Sequence, residues 1–557
     1  MNSITKRLMA GVAAAATLLS GMALTGSAMA ADTAIATDAV QANQTLTVKA
    51  YEGALQGKNL YAVKLAAYSA AQTDGTDITG YDLADGGYAA AVDAALTEAG
   101  IDTTSPAGYD STNPMTWVVQ NLLDSDSSPY AGQLRNFLTK LANQQTVKDA
   151  FVDGNKMDVA IDGSTATKSV PAGVYAVFDV AAADGNAVVS IPMLNGTTID
   201  GKTIKGKTLS EVDYKATQPT VDKKIVEGNS RVESNVAAIG DTVTYELTTT
   251  VPNYTGYDQG YYLSLNDTLS KGLTFKEITS VKIGDTDYTN DSTVWEKVDG
   301  TAPADGNYAG GTAFSILFAP TGEGDAKTSD ITKQSTKFEI GKKITVQYTA
   351  TLNKDAVIGQ DNNQSGNLNQ VNLTYSRNPN GTEHGDTDTV EVKTYTGAFK
   401  LNKVGPDNQA LAGAKFQITK DGNAVKFTKN DDGTVYTVDE NGTESEVVTP
   451  TSGTVEIKGL NGAYSVKETA SPLGSTALPE FTVTVTVNKE NGSYTVTNTR
   501  DANQLVSAAN GDTIAVKNVR NLLEMPKTGA TWLCIYAAMA VLCGAGAFLL
   551  LRSRKND

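Results

Sequence analysis

Along residues 45–52 and 59–66, apolar and polar side chains alternate with a period of two, the spacing of strands with one buried face. The period then changes. Leu134, Phe137, Leu138 and Leu141 stand at i, i+3, i+4 and i+7, which predicts an amphipathic helix, and 88–98 and 115–123 carry helical spacing too. Alternation returns at 173–180 and 187–193. The first domain, 31–215, is therefore expected to be mixed α+β, with helices inserted into a mainly β frame. It closes near Leu209 to Lys215, and a short linker ending at Pro219 follows, where proline stops any ladder.

From 216 the helical period disappears. A second domain, 216–393, reads as short strands (241–250, 261–266, 343–352, 371–376) broken by Gly, Asn and Asp. A third, 394–521, repeats the theme at 398–404, 415–419, 454–458, 463–468, 481–487 and 513–518. Asn-Gly and Asp-Gly pairs starting at 421, 432, 441, 461 and 491 mark its turns. Many short strands with polar turns predict a mainly β chain of tandem immunoglobulin-like sandwiches. No short-period repeat is present.

Both termini depart from this pattern. Residues 1–30 have a basic start (Lys6, Arg7), an apolar run and a small-residue exit at Ala28-Met29-Ala30, as a cleavable signal peptide has. Residues 522–557 contain Met525-Pro526-Lys527-Thr528-Gly529, an uncharged run over 530–551 and a basic tail over 552–557. An apolar run of roughly 20 residues is long enough to cross a bilayer as a transmembrane helix, with the cationic tail left inside.

Composition narrows the function classes. The chain of 557 residues has a net charge of −17, and nothing in it resembles a basic stripe for phosphates, so a nucleic-acid partner is not expected. Its two cysteines, Cys534 and Cys543, both sit in the apolar run. The exported part can make no disulfide, the usual brace outside the cell. The one histidine, His384, lies in a polar stretch and is expected to be a solvated loop residue, which leaves little for His-based catalysis or metal binding. No metal and no cofactor is expected, and no carboxylate pair sits in a recognisable catalytic frame, so the chain does not read as an enzyme.

The same alternation aims polar groups inward. On the first strand of the third domain, Phe399, Leu401 and Lys403 share a face; Tyr464, Val466 and Glu468 share another, and so do Ile514, Val516 and Asn518. Each buried polar group costs a few kcal/mol if left unpaired, so the three are expected to meet. In a dry site burial lowers a lysine pKa and raises a glutamate pKa, leaving a neutral amine and a protonated acid. The acid can polarise the asparagine carboxamide while the amine attacks it, giving an amide and ammonia. A satisfied polar cluster is the alternative. In the second domain Val221, Lys223 and Ile225 share a face, as do Leu263, Leu265 and Asp267, and Asn369, Val371, Leu373 and Tyr375.

Three stretches carry a resemblance. The order of pentapeptide, apolar run and cations resembles the sortase sorting signal of Gram-positive wall proteins, with Met525 where that family has Leu; it implies cleavage between Thr528 and Gly529. Phe399-Lys-Leu-Asn-Lys403, Leu411-Ala-Gly-Ala414 and Tyr464-Ser-Val-Lys-Glu468-Thr-Ala-Ser471-Pro472 resemble the collagen-adhesin B-type isopeptide domain, with Ser471 where the family has Ala. Carried over by position, Lys403 is the nucleophile, Glu468 the catalyst and Asn518 the acceptor, with Asn498 as second choice. The stretches beginning at Pro219, Asn266 and Gly366 resemble the middle, A-type domain of Gram-positive backbone pilins. They imply a Lys223–Asn369 bond assisted by Asp267, with Lys224, Asp241 and Asn372 as alternatives.

Taken together, the resemblance is to the major (backbone) pilins of Gram-positive fimbriae. It implies a cell-wall-anchored subunit joined head to tail to copies of itself by a class C sortase, and fixed to peptidoglycan by a housekeeping sortase. Minor or tip pilins would be further partners, and the host receptor is open. The polymer-forming lysine of such pilins follows a Tyr-Pro; here Tyr214-Lys215 lacks the proline, which points to Lys215, with Lys202, Lys205 and Lys207 as alternatives. The competing expectation is a wall-anchored monomeric adhesin that binds a host protein or glycan.

Overall fold

The structure is a computed structural model. It describes residues 33–50, 54–104, 107–122, 132–181, 185–214, 216, 218–254, 257, 259–324, 327–361, 364–379, 381–521, 524–525, 537, 540–541 and 543. The expected signal peptide, Lys215, the pentapeptide beyond Met525 and nearly all of 530–551 lie outside the described residues. Among the described residues no helix is long and apolar enough to cross a membrane.

The first domain stacks three layers. A five-stranded sheet, centred on the long strand Leu60–Thr73, has a four-stranded sheet on one face and helices Ala89–Glu98, Pro114–Asn121 and Gln133–Asn143 on the other. Leu60–Thr73 can serve both layers because its alternation is apolar on each side. Ala62 joins Leu46, Val48 and Tyr175 between the sheets, while Val63 and Leu65 meet Leu134, Phe137 and Leu141 of the third helix. The predicted helical positions are thus the buried ones. Strand Glu211–Asp213 closes the domain by running parallel to Asn43–Lys49.

One expected strand is not found. Of 187–193 only Met193 is in a strand, Met193–Gly196. Pro192 has no N–H to give a ladder, and the backbone here is committed elsewhere. The Val189 N–H donates to the Arg377 carbonyl (2.7 Å), and the Tyr375 hydroxyl donates to the Asn186 carbonyl (2.5 Å). These apolar residues form the joint to the second domain rather than a sheet.

The second domain is a sandwich of two sheets. One has the order 230–232, 222–227, 242–250, 343–352, 273–283, 286–287. The other runs 234–236, 390–395, 367–376, 263–269, 312–318, 295–300, with 384–386 beside 367–376. The strands expected at 261–266 and 371–376 are Leu263–Leu269 and Asn367–Ser376. Several strands escaped the sequence reading, Leu273–Ile283, Trp295–Gly300, Thr312–Phe318 and Val390–Tyr395 among them. Leu273–Ile283 carries two register shifts, which break its alternation, and Trp295–Gly300 has no fully buried face to announce it. His384 is placed by the structure on the short strand His384–Asp386, not in a loop, with its ring stacked on Tyr262 at 4.3 Å.

The third domain is a second sandwich. Its five-stranded sheet runs 427–429, 435–438, 454–460, 397–404, 513–517, and its six-stranded sheet is built on 415–420, 462–470, 480–487 and 494–498. Its first and last strands, Gly397–Val404 and Thr513–Lys517, lie side by side and parallel. Asp421-Gly422 makes a two-residue hairpin, with φ of 50° and 83° at the two positions. Asn461-Gly462 instead carries the chain from one sheet to the other.

Candidate functional site

Two dry clusters of lysine, acid and asparagine occupy the two sandwiches. In the second domain Lys223 is on Asp222–Glu227, in one sheet, while Asp267 and Asn369 are on Leu263–Leu269 and Asn367–Ser376, adjacent in the other. Lys223 follows from its register: it sits opposite Leu247, and its strand alternates so that Lys223 and Ile225 face the core. All three polar residues are fully buried. The Lys223 ammonium nitrogen donates to Asp267 Oδ2 at 2.5 Å and to Asn369 Oδ1 at 2.6 Å, and reaches the Tyr348 hydroxyl at 3.0 Å. Tyr348 donates to Asp267 Oδ1 (2.9 Å) and accepts from Asn369 Nδ2 (2.7 Å). Rings of Tyr245 and Tyr348, stacked 5.2 Å apart, wall the amine off from water.

In the third domain the geometry differs. Lys403 and Asn518 belong to neighbouring parallel strands of one sheet; Lys403 is opposite Val516, and Asn518 follows the last strand directly. Glu468 approaches from the facing sheet. Lys403 Nζ donates to Glu468 Oε2 at 2.7 Å, and Asn518 Nδ2 donates to the same oxygen at 3.0 Å. Phe416 covers the amine, with its ring centre 5.5 Å away. Lys403, Glu468 and Asn518 are all fully buried. Two buried atoms of this cluster have no hydrogen-bond partner among the described residues: Glu468 Oε1 and Asn518 Oδ1, both acceptors. One proton on the carboxyl, turned toward the carboxamide, would satisfy both.

Burial sets the protonation of both clusters. It pulls Lys223 and Lys403 down to about 8, against the attraction of their acid partners, and pushes Asp267 and Glu468 up. The lysine is thereby closer to a free amine and the carboxylic acid closer to neutral.

The other candidates are engaged elsewhere. Lys224 points outward to Glu233 and Asp222. Asp241 Oδ2 accepts the Ala238 N–H, and Asn372 is only half-buried, on the other face of its strand from Asn369. The Asn498 amide spends its donors on the Thr499 and Ser507 carbonyls and its oxygen on the Ala509 N–H. Lys202 pairs with Asp200, and Lys205 is exposed. Lys215, Pro526, Lys527, Thr528 and Gly529 lie outside the described residues; Met525, at their edge, is half-buried.

The linkage in the second domain would not run from first strand to last, because Val390–Tyr395 follows the Asn369 strand. Tyr348 was not singled out, although its signal was legible: on Lys343–Leu352 the inward positions are Ile344, Val346, Tyr348, Ala350 and Leu352.

Residues 239–379 match the family described as Gram-positive pilin backbone subunit 2, Cna-B-like domain, and residues 397–501 match the SpaA family, described as a prealbumin-like fold domain. The middle sandwich belongs to the pilin-backbone family and the third to the SpaA family. The matched segments include Asp267, Asn369, Lys403 and Glu468, while Lys223 and Asn518 stand outside them. The trypsin-resistant surface T6 protein of Streptococcus pyogenes serotype M6 is 24% identical over 315 residues, which cover 52% of this chain and 51% of that one. The chain thus spans about half the length of this relative. Among solved structures, the T6 backbone pilin of the same organism covers 86% of this chain and 92% of its own at 14% identity, with a TM-score of 0.48. The full-length major pilin SpaD from Corynebacterium diphtheriae covers 87% and 99% at 16% identity, with a TM-score of 0.41.

Proposed function

We propose that this chain is the repeating structural subunit of a covalent pilus on a Gram-positive cell surface, braced internally by two self-made isopeptide bonds. The observation that carries this reading is the pair of dry Lys–acid–Asn clusters, one inside the pilin-backbone sandwich and one inside the SpaA sandwich. In each, the lysine amine attacks the asparagine carboxamide carbon. A C–N bond forms, the carboxamide C–N bond breaks, and the lysine's surplus proton leaves with the nitrogen as ammonia. Asp267 and Glu468 each act once, Glu468 by polarising the carbonyl and both by moving protons, so the reaction is a single-turnover self-modification.

Permanent crosslinks suit a shaft under tension. In the SpaA sandwich a Lys403–Asn518 bond would tie the entry strand to the exit strand, so that pulling on the ends loads the bond and bypasses the rest of the domain. In the pilin-backbone sandwich a Lys223–Asn369 bond would join the two sheets. Polymerisation would use Thr528, activated at the Thr528–Gly529 bond by a class C sortase and resolved by Lys215 of the next copy. A housekeeping sortase would transfer the base to peptidoglycan.

Cell-wall fractions boiled in detergent test the polymer. A ladder of covalent multimers is expected, reduced to a single band in Lys215→Arg. One band in the unsubstituted chain would instead mean a monomeric wall-anchored adhesin.

A further inference from the structure

The two clusters hold their acids differently. Glu468 accepts a hydrogen bond from the acceptor asparagine itself, Asn518 Nδ2 to Oε2 at 3.0 Å. Asp267 is one methylene shorter, and its carboxyl is engaged by Lys223 on Oδ2 and by Tyr348 on Oδ1. Between that carboxyl and the Asn369 nitrogen stands the Tyr348 hydroxyl, 2.9 Å from Asp267 Oδ1 and 2.7 Å from Asn369 Nδ2. In the SpaA cluster the aromatic over the lysine is Phe416, which has no hydroxyl.

We propose that Tyr348 is a catalytic residue of the middle-domain crosslink, relaying a proton from Asp267 to the departing nitrogen of Asn369. This rests on the isopeptide reading above. A carboxamide nitrogen has no free lone pair and can only donate, as Nδ2 does to Tyr348 in the resting site. Once Lys223 Nζ has added to the carboxamide carbon, that carbon is tetrahedral and Nδ2 regains its lone pair. The chain of hydrogen bonds then reverses. The neutral acid gives the proton on Oδ1 to the Tyr348 oxygen, and Tyr348 gives its own proton to Nδ2. Lys223 Nζ meanwhile passes a proton to Oδ2, 2.5 Å away. The carboxyl ends neutral, the tyrosine ends unchanged, and the products are the Lys223–Asn369 amide and ammonia. The shorter acid thus acts at a distance through a hydroxyl, where Glu468 acts directly.

The test compares Tyr348→Phe with Tyr348→Phe/Asp267→Glu in the exported chain, by peptide mapping of the two crosslinks over time after purification. Phe keeps the stacked ring, the SpaA crosslink in the same molecule is an internal clock for a bond that Tyr348 does not touch, and circular dichroism checks that the middle sandwich has folded. Tyr348→Phe is expected to slow the Lys223–Asn369 bond by a hundredfold or more, the usual worth of a positioned proton donor, while the Lys403–Asn518 bond forms as before. Lengthening the acid in the double variant should restore the middle-domain bond. The relay is overturned if Tyr348→Phe links as fast as the unsubstituted chain, or if the longer acid gives no recovery. A missing middle-domain crosslink in the unsubstituted chain is a separate result, which removes the isopeptide reading and the relay with it.

Discussion

Lys223 and Lys403 are each entirely out of water, Lys223 against a carboxyl and a carboxamide and Lys403 against a carboxyl that also holds Asn518, so on the proposed reading the cost of burial would be turned toward chemistry. With the lysine pKa pulled down to about 8, the reactive free amine is the minor form below pH 8 and gains about tenfold per pH unit on the way up. The acid works in the opposite sense, since it must hold its proton. Bond formation should therefore climb as the amine loses its proton and fall once Glu468, held up by burial, ionises. Glu468→Asp, which keeps the acid but shortens its reach, should slow the SpaA crosslink enough to follow by mass; a rate flat in pH would contradict the mechanism. The triads were legible because strand alternation fixes which side chains turn inward, and Phe399, Leu401 and Lys403 obey it together. Tyr348 turns inward by the same alternation, with Ile344 and Val346, but a buried aromatic at such a position reads as ordinary core.

At the scale of elements, the SpaA sandwich is closed by two parallel neighbours, Gly397–Val404 and Thr513–Lys517, whose backbone ladder alone would have to resist shear. A Lys403–Asn518 bond would enclose about 115 residues. Stretching a single molecule by its ends should leave that loop folded in the unsubstituted chain. In Lys403→Ala the same loop should be released, adding roughly 390 Å of contour at about 3.4 Å per residue; equal extensions would contradict the brace. The loss should also cost about 4–5 kcal/mol of loop entropy, by analogy with a disulfide. The strands that bear the triads were readable from alternation. Leu273–Ile283 was not, because its register shifts interrupt the period, and 187–193 misled because apolar residues that build a joint alternate as a strand does.

At the scale of the molecule, the joints are as closely fitted as the cores. The Ile239 N–H donates to the Gly459 carbonyl at 3.0 Å, and a Cβ on Gly459 would meet the Ile239 side chain at 2.3 Å. Tyr395 is pressed against Gly366 of the pilin-backbone sandwich and Gly492 of the SpaA sandwich, where a Cβ would lie 2.6 and 2.5 Å from its ring. On the other side, Asp179 and Tyr214 of the first domain share a buried 2.5 Å hydrogen bond close to the Val189–Arg377 contact. In the proposed shaft such joints would transmit load from domain to domain, and with no cysteine outside 530–551 the covalent brace would come from the lysines. Intact mass of the purified exported chain tests this most directly. Two crosslinks remove two ammonias, about 34 Da below the sequence mass, at about 17 Da each, with the deficit halved in Glu468→Gln. A mass equal to that of the sequence would contradict the account.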